Sequence, residues 1–321
     1  MIRNLNDEEG LILRDIRVGT RNSSLALKQT HLVIDMLNKQ QPNHTFHIQE
    51  IVTEGDKKRD VSLAQLGRGV FLEEIEERLL AGDIDMAVHS LKDIPVHIPQ
   101  GLKIAAIPKR EDHRDAYIAN DHIAFKDLPS GALIGTSSVR RSAQLLAQRP
   151  DIQTKWIRGP IDDRLDQLRH GDFAAIILAV AGIKRLGLGE HLITEYLADD
   201  HFVPAMGQGA LAIECRADDD LMHNLLSSIH DDATARAVMT ERLFLQAFDE
   251  GEQAPIGGYA FIREGHIHLR GMVISLDGKT VLKHETMGDD PATLAETVAT
   301  HLINQGAMQM IAETNEALQK E

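Results

Sequence analysis

Four times in the first two-thirds of the chain a short apolar run ends in small or polar residues and gives way to a helical spacing. This alternation is expected of an α/β protein. Ile16–Gly19 reads as a strand, Thr20-Arg21-Asn22-Ser23 as a turn and N-cap, and the following residues as a helix with Leu25, Leu32, Val33, Met36 and Leu37 on one face. Ile84–His89 predicts a second strand, which runs into Ser90-Leu91-Lys92-Asp93 and is stopped by Pro95. Leu133–Gly135 predicts a third, followed by Thr136-Ser137-Ser138 and a helix to about Ala147. Ala174–Val180 is nearly all apolar and predicts a strand buried on both faces. The last ninety or so residues alternate instead. Tyr259–Ile262, Ile267–Ser275 and Thr280–His284, separated by Glu264-Gly265 and Asp277-Gly278, predict an antiparallel meander. Asp290-Pro291 starts a helix that Leu294, Val298 and Leu302 continue and Gly306 closes. Pro204–Gly209 and Arg216–Asp220 are the candidate points at which the chain passes between units.

Composition narrows the class of function. With 321 residues the chain has ample material for two or three domains. Thirty-four Lys and Arg against 49 Asp and Glu give a net charge of −15, which argues against a general binder of the nucleic-acid backbone. The longest apolar run, Phe173–Ile183, is too short to cross a bilayer core of ~30 Å, and the acidic N-terminus is unlike a secretory signal. A cytoplasmic protein with no membrane partner is expected. The single cysteine, Cys215, excludes an internal disulfide and a cysteine-pair zinc site. The sixteen histidines contain no HExxH, and His266 and His268 fall on a hairpin without a third ligand, so no metal is expected. Gly207-Gln208-Gly209 lacks the context of a dinucleotide fingerprint, and no phosphate-binding P-loop occurs, so no nucleotide is expected either.

The chemistry lies in arginines that recur where strands meet helix starts: Arg21, Arg140 and Arg141, Arg158 and Arg164. Helix N-termini carry free N–H groups and partial positive charge, and arginine adds a bidentate fork, so together they suit carboxylates or phosphates. A small polyanionic ligand follows, unless each arginine pairs with an internal acid such as Asp162 or Asp163. Asp93, directly after Lys92 at a strand end, is placed to accept N–H bonds or face a cation, or else to cap a helix or pair with Lys92.

Seven segments carry a family likeness: VGTRNSSLAL (18–27), AVHSLKDIPV (87–96), REDHRDAYI (110–118), IGTSSVRRSAQL (134–145), AIILAVAGIKRLGL (175–188), PAMGQGALAIECR (204–216) and QAPIGGYA (253–260). In this order they resemble hydroxymethylbilane synthase, also called porphobilinogen deaminase. The resemblance implies an α/β fold. Two domains like those of periplasmic binding proteins, with mixed sheets, flank a central cleft, and a small C-terminal α+β domain carries a three-stranded antiparallel sheet. The expected division is 1–108 with 206–228, bearing Asp93 and a mobile loop at 55–69, then 109–205, then 229–321 with the cofactor-attachment segment 250–257. It also implies a monomer that joins porphobilinogen units with release of ammonia, on a dipyrromethane cofactor. Asp93 would be the catalytic carboxylate. Arg21, Ser23, Lys92, Ser138, Arg140, Arg141, Arg158, Arg164 and Gln208 would bind the acetate and propionate groups, and Phe71 would belong to the loop.

Three departures from the family pattern bear on this transfer. The family attaches its cofactor through a thioether to a cysteine in a segment GGCQxPIG, and here that position is Glu252. Cys215 lies at a family position that is not the attachment site and reads as a packed core thiol. RGNxxTRL becomes Arg158-Gly159-Pro160-Ile161-Asp162-Asp163-Arg164-Leu165, placing two acids between the arginines, and the loop segment is shortened to Gly67-Arg68-Gly69-Val70-Phe71 with Gln65 before it. Three readings follow: a pyrrole-handling transferase with an ester-held or non-covalent primer, a non-catalytic protein that binds a pyrrole, linear tetrapyrrole or other polycarboxylate, and an enzyme making a different oligopyrrole. On the arginine reading, replacing Arg140 and Arg141 together by alanine is expected to weaken ligand binding by several kcal/mol.

Overall fold

The computed structural model describes residues 15–57, 69–248 and 254–320. Two five-stranded mixed sheets share one strand order. In the first, β2 (Thr45–Ile51), β1 (Asp15–Arg21) and β3 (Met86–Ser90) run parallel, and β10 (Leu211–Arg216) lies antiparallel between β3 and β4 (Leu102–Ala106). In the second, β7 (Gln153–Lys155), β6 (Leu133–Gly135) and β8 (Ala175–Ala179) run parallel, and β5 (Asp115–Ala119) lies antiparallel between β8 and β9 (Glu195–Leu197). The odd strand of the first sheet is therefore contributed after the second is complete. The chain crosses twice, and Glu111 N–H donates to Gly209 O at 3.0 Å where outgoing and returning segments meet.

The alternating C-terminal pattern forms β11 (Ile256–Arg263), β12 (His266–Ile274) and β13 (Val281–Gly288), an antiparallel meander as its periodicity requires. Positive φ at both Glu264 and Gly265 gives the tight turn whose twist matches the strands. Helices Asp232–Gln246, Pro291–Asn304 and Ala307–Lys320 complete this unit, and Phe244, Ile267, Leu269, Val298 and Leu302 fill its core.

Two expectations change. In the helix Ser24–Gln40 the buried face is Ala26, Gln29, Thr30, Val33, Ile34 and Leu37, while Leu25, Leu32 and Met36 are half-buried. The stripe is rotated because Leu25 sits near Gly182 of the second unit, at 3.8 Å from a Cβ built there, and Gln29 donates to Ser90 Oγ. Arg216–Asp220 is no crossing: Arg216 donates to the Leu79 and Ile84 carbonyls and pairs with Asp85 and Asp219, which fixes it within the first unit. Among the described residues, no helix is long and apolar enough to cross a membrane.

Candidate functional site

The site gathers at the strand ends where the two units face each other. β3 ends at Ser90, and one turn of 3-10 helix, Leu91–Asp93, follows. Leu91 N–H donates to Ala210 O and Ile94 N–H to Leu91 O, so the turn is tied to the returning crossing. Gly207 at φ +74 makes this approach possible, since a Cβ there would lie 3.1 Å from Lys92 N. Asp93 is half-buried, and among the described residues its carboxylate has no hydrogen-bond or ion-pair partner. Burial lowers the Lys92 ammonium to about 8; the charge of Asp93 opposes this, and Arg141 and Arg140 add to it.

The arginines divide by partner. Arg140 and Arg141 occupy the first turn of the helix Val139–Gln148, which Ser138 caps by accepting from Arg141 N–H. Both converge on Asp115, fully buried at the start of β5: Arg140 Nη1 donates at 2.9 Å, and Arg141 Nε and Nη2 at 3.0 and 2.7 Å. Gln208 Nε2 donates to the same carboxylate at 2.9 Å. These donors hold the Asp115 carboxyl far below the usual carboxylate range despite burial. Arg140 also donates to Val203 O, and Arg141 to Ile177 O and Gln208 Oε1. Two guanidinium groups against one carboxylate leave a net positive charge, but most of their N–H groups already have acceptors.

Arg21 belongs to a different contact. It pairs with Asp56 through Nη2 at 2.5 Å and Nε at 3.3 Å, and its guanidinium lies 4.2 Å from the centre of the Phe71 ring. Phe71 in turn leaves no room at Gly55, where a Cβ would come within 2.2 Å of the ring. Ser23 caps the helix after β1 by accepting from Ala26 N–H at 3.3 Å.

Arg158 and Arg164 differ again. Arg164 donates from Nε to Gly159 O and has no acidic partner among the described residues. Burial, then the positive charges of Arg141 and Arg158, push it down to about 10. Asp162 and Asp163 are exposed in the first turn of the helix Ile161–Arg169 and pair with neither arginine. Lys92 thus feels the positive charges of Arg141 and Arg140, and Arg164 those of Arg141 and Arg158, so Arg141 is common to both sets.

Sequence reasoning did not single out Asp115, Arg185, Glu241 or Arg242. Arg185 donates to Gly209 O at the crossing and is held down to about 10 by burial. Asp115 had a visible signal, a lone acid at the head of the apolar run Asp115–Ala119; Arg185 and Arg242 act through backbone carbonyls, and Glu241 through backbone amides and the distant Arg110, none of which spacing reveals.

Residues 16–224 match the family profile described as "Porphobilinogen deaminase, dipyromethane cofactor binding domain", and 235–304 match "Porphobilinogen deaminase, C-terminal domain". Porphobilinogen deaminase of Oceanobacillus iheyensis is 50% identical over 307 residues, covering 95% of this chain and 99% of that protein. The enzyme of Geobacillus kaustophilus is 49% identical, with the same coverage. The chain belongs to the porphobilinogen deaminase family. Among solved structures, a lipoprotein of the YaeC family from Enterococcus faecalis aligns with a TM-score of 0.42 at 13% identity, covering 69% of this chain and 93% of that one.

Membership raises the question of the family's cofactor. The positive charges acting on Lys92 and Arg164 suit the carboxylates of a dipyrromethane. Glu252 lies outside the described residues, as does most of the loop expected at 55–69, including Gln65, Gly67 and Arg68. Cys215 is fully buried in β10, burial pushes its thiol up to about 11, and its strand partner is Met86, whereas Leu211 partners Ser90. Four residues of strand, about 13 Å, therefore separate it from the Asp93 end of the sheet.

Proposed function

We propose that this chain is a hydroxymethylbilane synthase-type transferase that condenses porphobilinogen with release of ammonia, and that its pyrrole primer is held by some means other than a thioether. The observation that carries the reading is the Asp93 carboxylate, half-buried and without a hydrogen-bond partner among the described residues, directly after Lys92, whose ammonium also feels Arg141 and Arg140, while Arg141 and Arg158 act on Arg164. Those cations bind the acetate and propionate groups of the substrate by charge-assisted bonds. Arg158, Arg164 and Lys92 make the direct contacts. Arg140 and Arg141, already bonded to Asp115, add positive field with few donors, and Gln208 and Ser138 hold them in place. Arg21, Ser23 and Phe71 close the same cleft from the first unit.

In this reading Asp93 accepts the pyrrole N–H and faces the positive charge that develops as the aminomethyl C–N bond breaks and ammonia leaves. A fixed anion where a cation forms lowers the barrier without reorganisation. The next pyrrole's α-carbon then bonds to the electron-poor methylene carbon and loses its proton. About 50% identity over nearly the full length of named porphobilinogen deaminases supports the same reaction over a different oligopyrrole synthesis. One observation favours a second reading, a binding protein for a pyrrole or linear tetrapyrrole: the anchor position is Glu252.

Incubation of the purified protein with porphobilinogen, followed by substrate loss, ammonia release and intact mass, separates the two. Turnover with pyrrole-sized mass increments that survive denaturation supports a transferase with a covalent anchor at Glu252. Turnover with increments lost on denaturation means a non-covalent primer. Unmodified protein without turnover overturns the enzyme reading and leaves the binding protein.

A further inference from the structure

The turn that carries Asp93 is held from behind by a residue of the C-terminal unit. On the helix Asp232–Gln246, Arg242 is 7% exposed. Its Nη1 donates to Ile94 O at 3.1 Å, and its Nη2 donates to Pro95 O at 2.7 Å and Val96 O at 3.0 Å. One guanidinium thus satisfies three successive carbonyls immediately after Asp93. Pro95 has no N–H of its own to donate, so the carbonyls are the segment's polar groups that the fork can hold. A planar fork of N–H donors fits successive carbonyls in a way a single ammonium does not.

The neighbouring residue ties the same helix to the crossings. Glu241 is fully buried and accepts from Arg110 Nη1 and Nη2, Gly207 N–H at 2.6 Å and Ala260 N–H at 2.8 Å. Arg110 in turn donates from Nε to Gln208 O at 2.8 Å. Glu241 and Arg242 therefore place one helix against the outgoing crossing, the returning crossing, the first strand of the meander and the Asp93 turn. Ten residues beyond Arg242 along the chain is Glu252.

We propose that Arg242 is a positioning residue for Asp93: by holding the carbonyls of Ile94, Pro95 and Val96 it fixes the catalytic turn against the helix that leads to the anchor position. This rests on the reading of Asp93 as the catalytic carboxylate. Removing the fork leaves the substrate-binding cations intact but lets the carboxylate drift, and a displacement of about 1 Å is enough to cost on the order of 100-fold in rate. The loss should appear in kcat and leave KM nearly unchanged, the signature of an interaction that matters in the transition state.

The test compares wild type, Arg242→Met and Arg242→Lys by amide hydrogen exchange and by turnover of porphobilinogen. In Arg242→Met, residues 91–97 should exchange at least about 10-fold faster, while the helix Ser24–Gln40 keeps its protection. Its kcat should fall by about 10- to 100-fold with KM within about threefold, and Arg242→Lys should fall between the two proteins. A folded Arg242→Met with wild-type exchange at 91–97 and wild-type kcat overturns the proposal, as does a loss confined to KM. If Arg242→Met does not fold, Arg242→Lys decides by the same two readouts. A wild-type protein without turnover defeats the reading of Asp93, whereas exchange at 91–97 still judges the clamp.

Discussion

Replacing Arg141 by methionine tests whether its principal partner is the protein or the ligand. The side chain donates to Asp115 at 3.0 and 2.7 Å, to Ile177 O at 3.2 Å and to Gln208 Oε1 at 3.4 Å. Methionine fills much of the same space but leaves Asp115 with only Arg140 and Gln208. Breaking a buried ion pair costs about 3–5 kcal/mol, and the surviving donors argue for the low end, about 3. At ~2.1 cal/mol/K per residue over 321 residues, that is a fall of roughly 4–5 °C in Tm. Asp115→Asn added to Arg141→Met should recover part of this, since the uncompensated charge is gone. The pH dependence has a definite sign. The folded Asp115 carboxyl lies below its unfolded value of 3.8, so its contribution is present above pH 3.8 and lost as pH falls through the lower folded value. The gap between wild type and Arg141→Met should therefore hold above about pH 4 and narrow in stronger acid. Calorimetric titration with a polycarboxylate pyrrole completes the test: Arg141→Met should weaken binding less than about tenfold, and Arg164→Met by about 10- to 100-fold, the worth of one charge-assisted bond. Wild-type Tm in Arg141→Met with a larger loss of affinity than in Arg164→Met would refute the assignment.

Three further outcomes follow. Affinity for an anionic pyrrole should fall as pH rises through about 8, because the Lys92 ammonium is lowered to about 8 and its charge is lost there; Lys92→Arg should flatten the fall, and a flat wild-type profile between pH 7 and 9 excludes Lys92 from the contact. Gly209→Ala should destabilise by more than about 1 kcal/mol, since φ there is +87 and a Cβ would lie 2.4 Å from Glu111 O; urea titration checks it, and an unchanged midpoint means the crossing is looser than described. Glu252→Cys, produced in cells that synthesise porphobilinogen, should retain a pyrrole adduct of denaturation-resistant mass, and an unmodified chain would show that the primer site differs by more than its anchor.

The sheets were legible because their strands carry the pattern themselves. Ala175–Ala179 is apolar on both faces and lies inside a sheet, and the meander alternates with the period of a half-buried strand. Strands such as Gln153–Lys155 and Thr45–Ile51, mostly polar or exposed, offered no such signal and exist through pairing with a stronger neighbour. The arginines were legible as a cluster but not by partner. Arg140 and Arg164 both lie near a helix start, yet Arg140, with no acid within ten residues, meets one 25 residues away, while Arg164 ignores the acids one and two positions before it. A helix's first turn directs Asp162 and Asp163 to solvent, where their charge also suits the positive end of the helix, whereas β5 delivers Asp115 to the interior. Tertiary placement decides which positive charges are neutralised.

The same reasoning bears on the anchor. Cys215 satisfies the chemistry of a thioether but is buried in a strand core, with its thiol pushed up to about 11, so thiolate, the reactive form, is scarce at neutral pH. By the family resemblance Glu252 stands at the attachment position, and a carboxylate cannot form a thioether. On the proposed function, a primer's carboxylates need Arg158 and Arg164, and a carboxylate side chain of the protein that reached them would compete. If Glu252 competes for them, Glu252→Gln should raise affinity for a polycarboxylate pyrrole, most at low salt where exposed charges are least screened. If Glu252 instead carries the primer as an ester, Glu252→Gln should abolish denaturation-resistant mass without raising affinity. The two outcomes exclude each other, so one variant, read by calorimetry and by intact mass, distinguishes a competing carboxylate from an ester anchor.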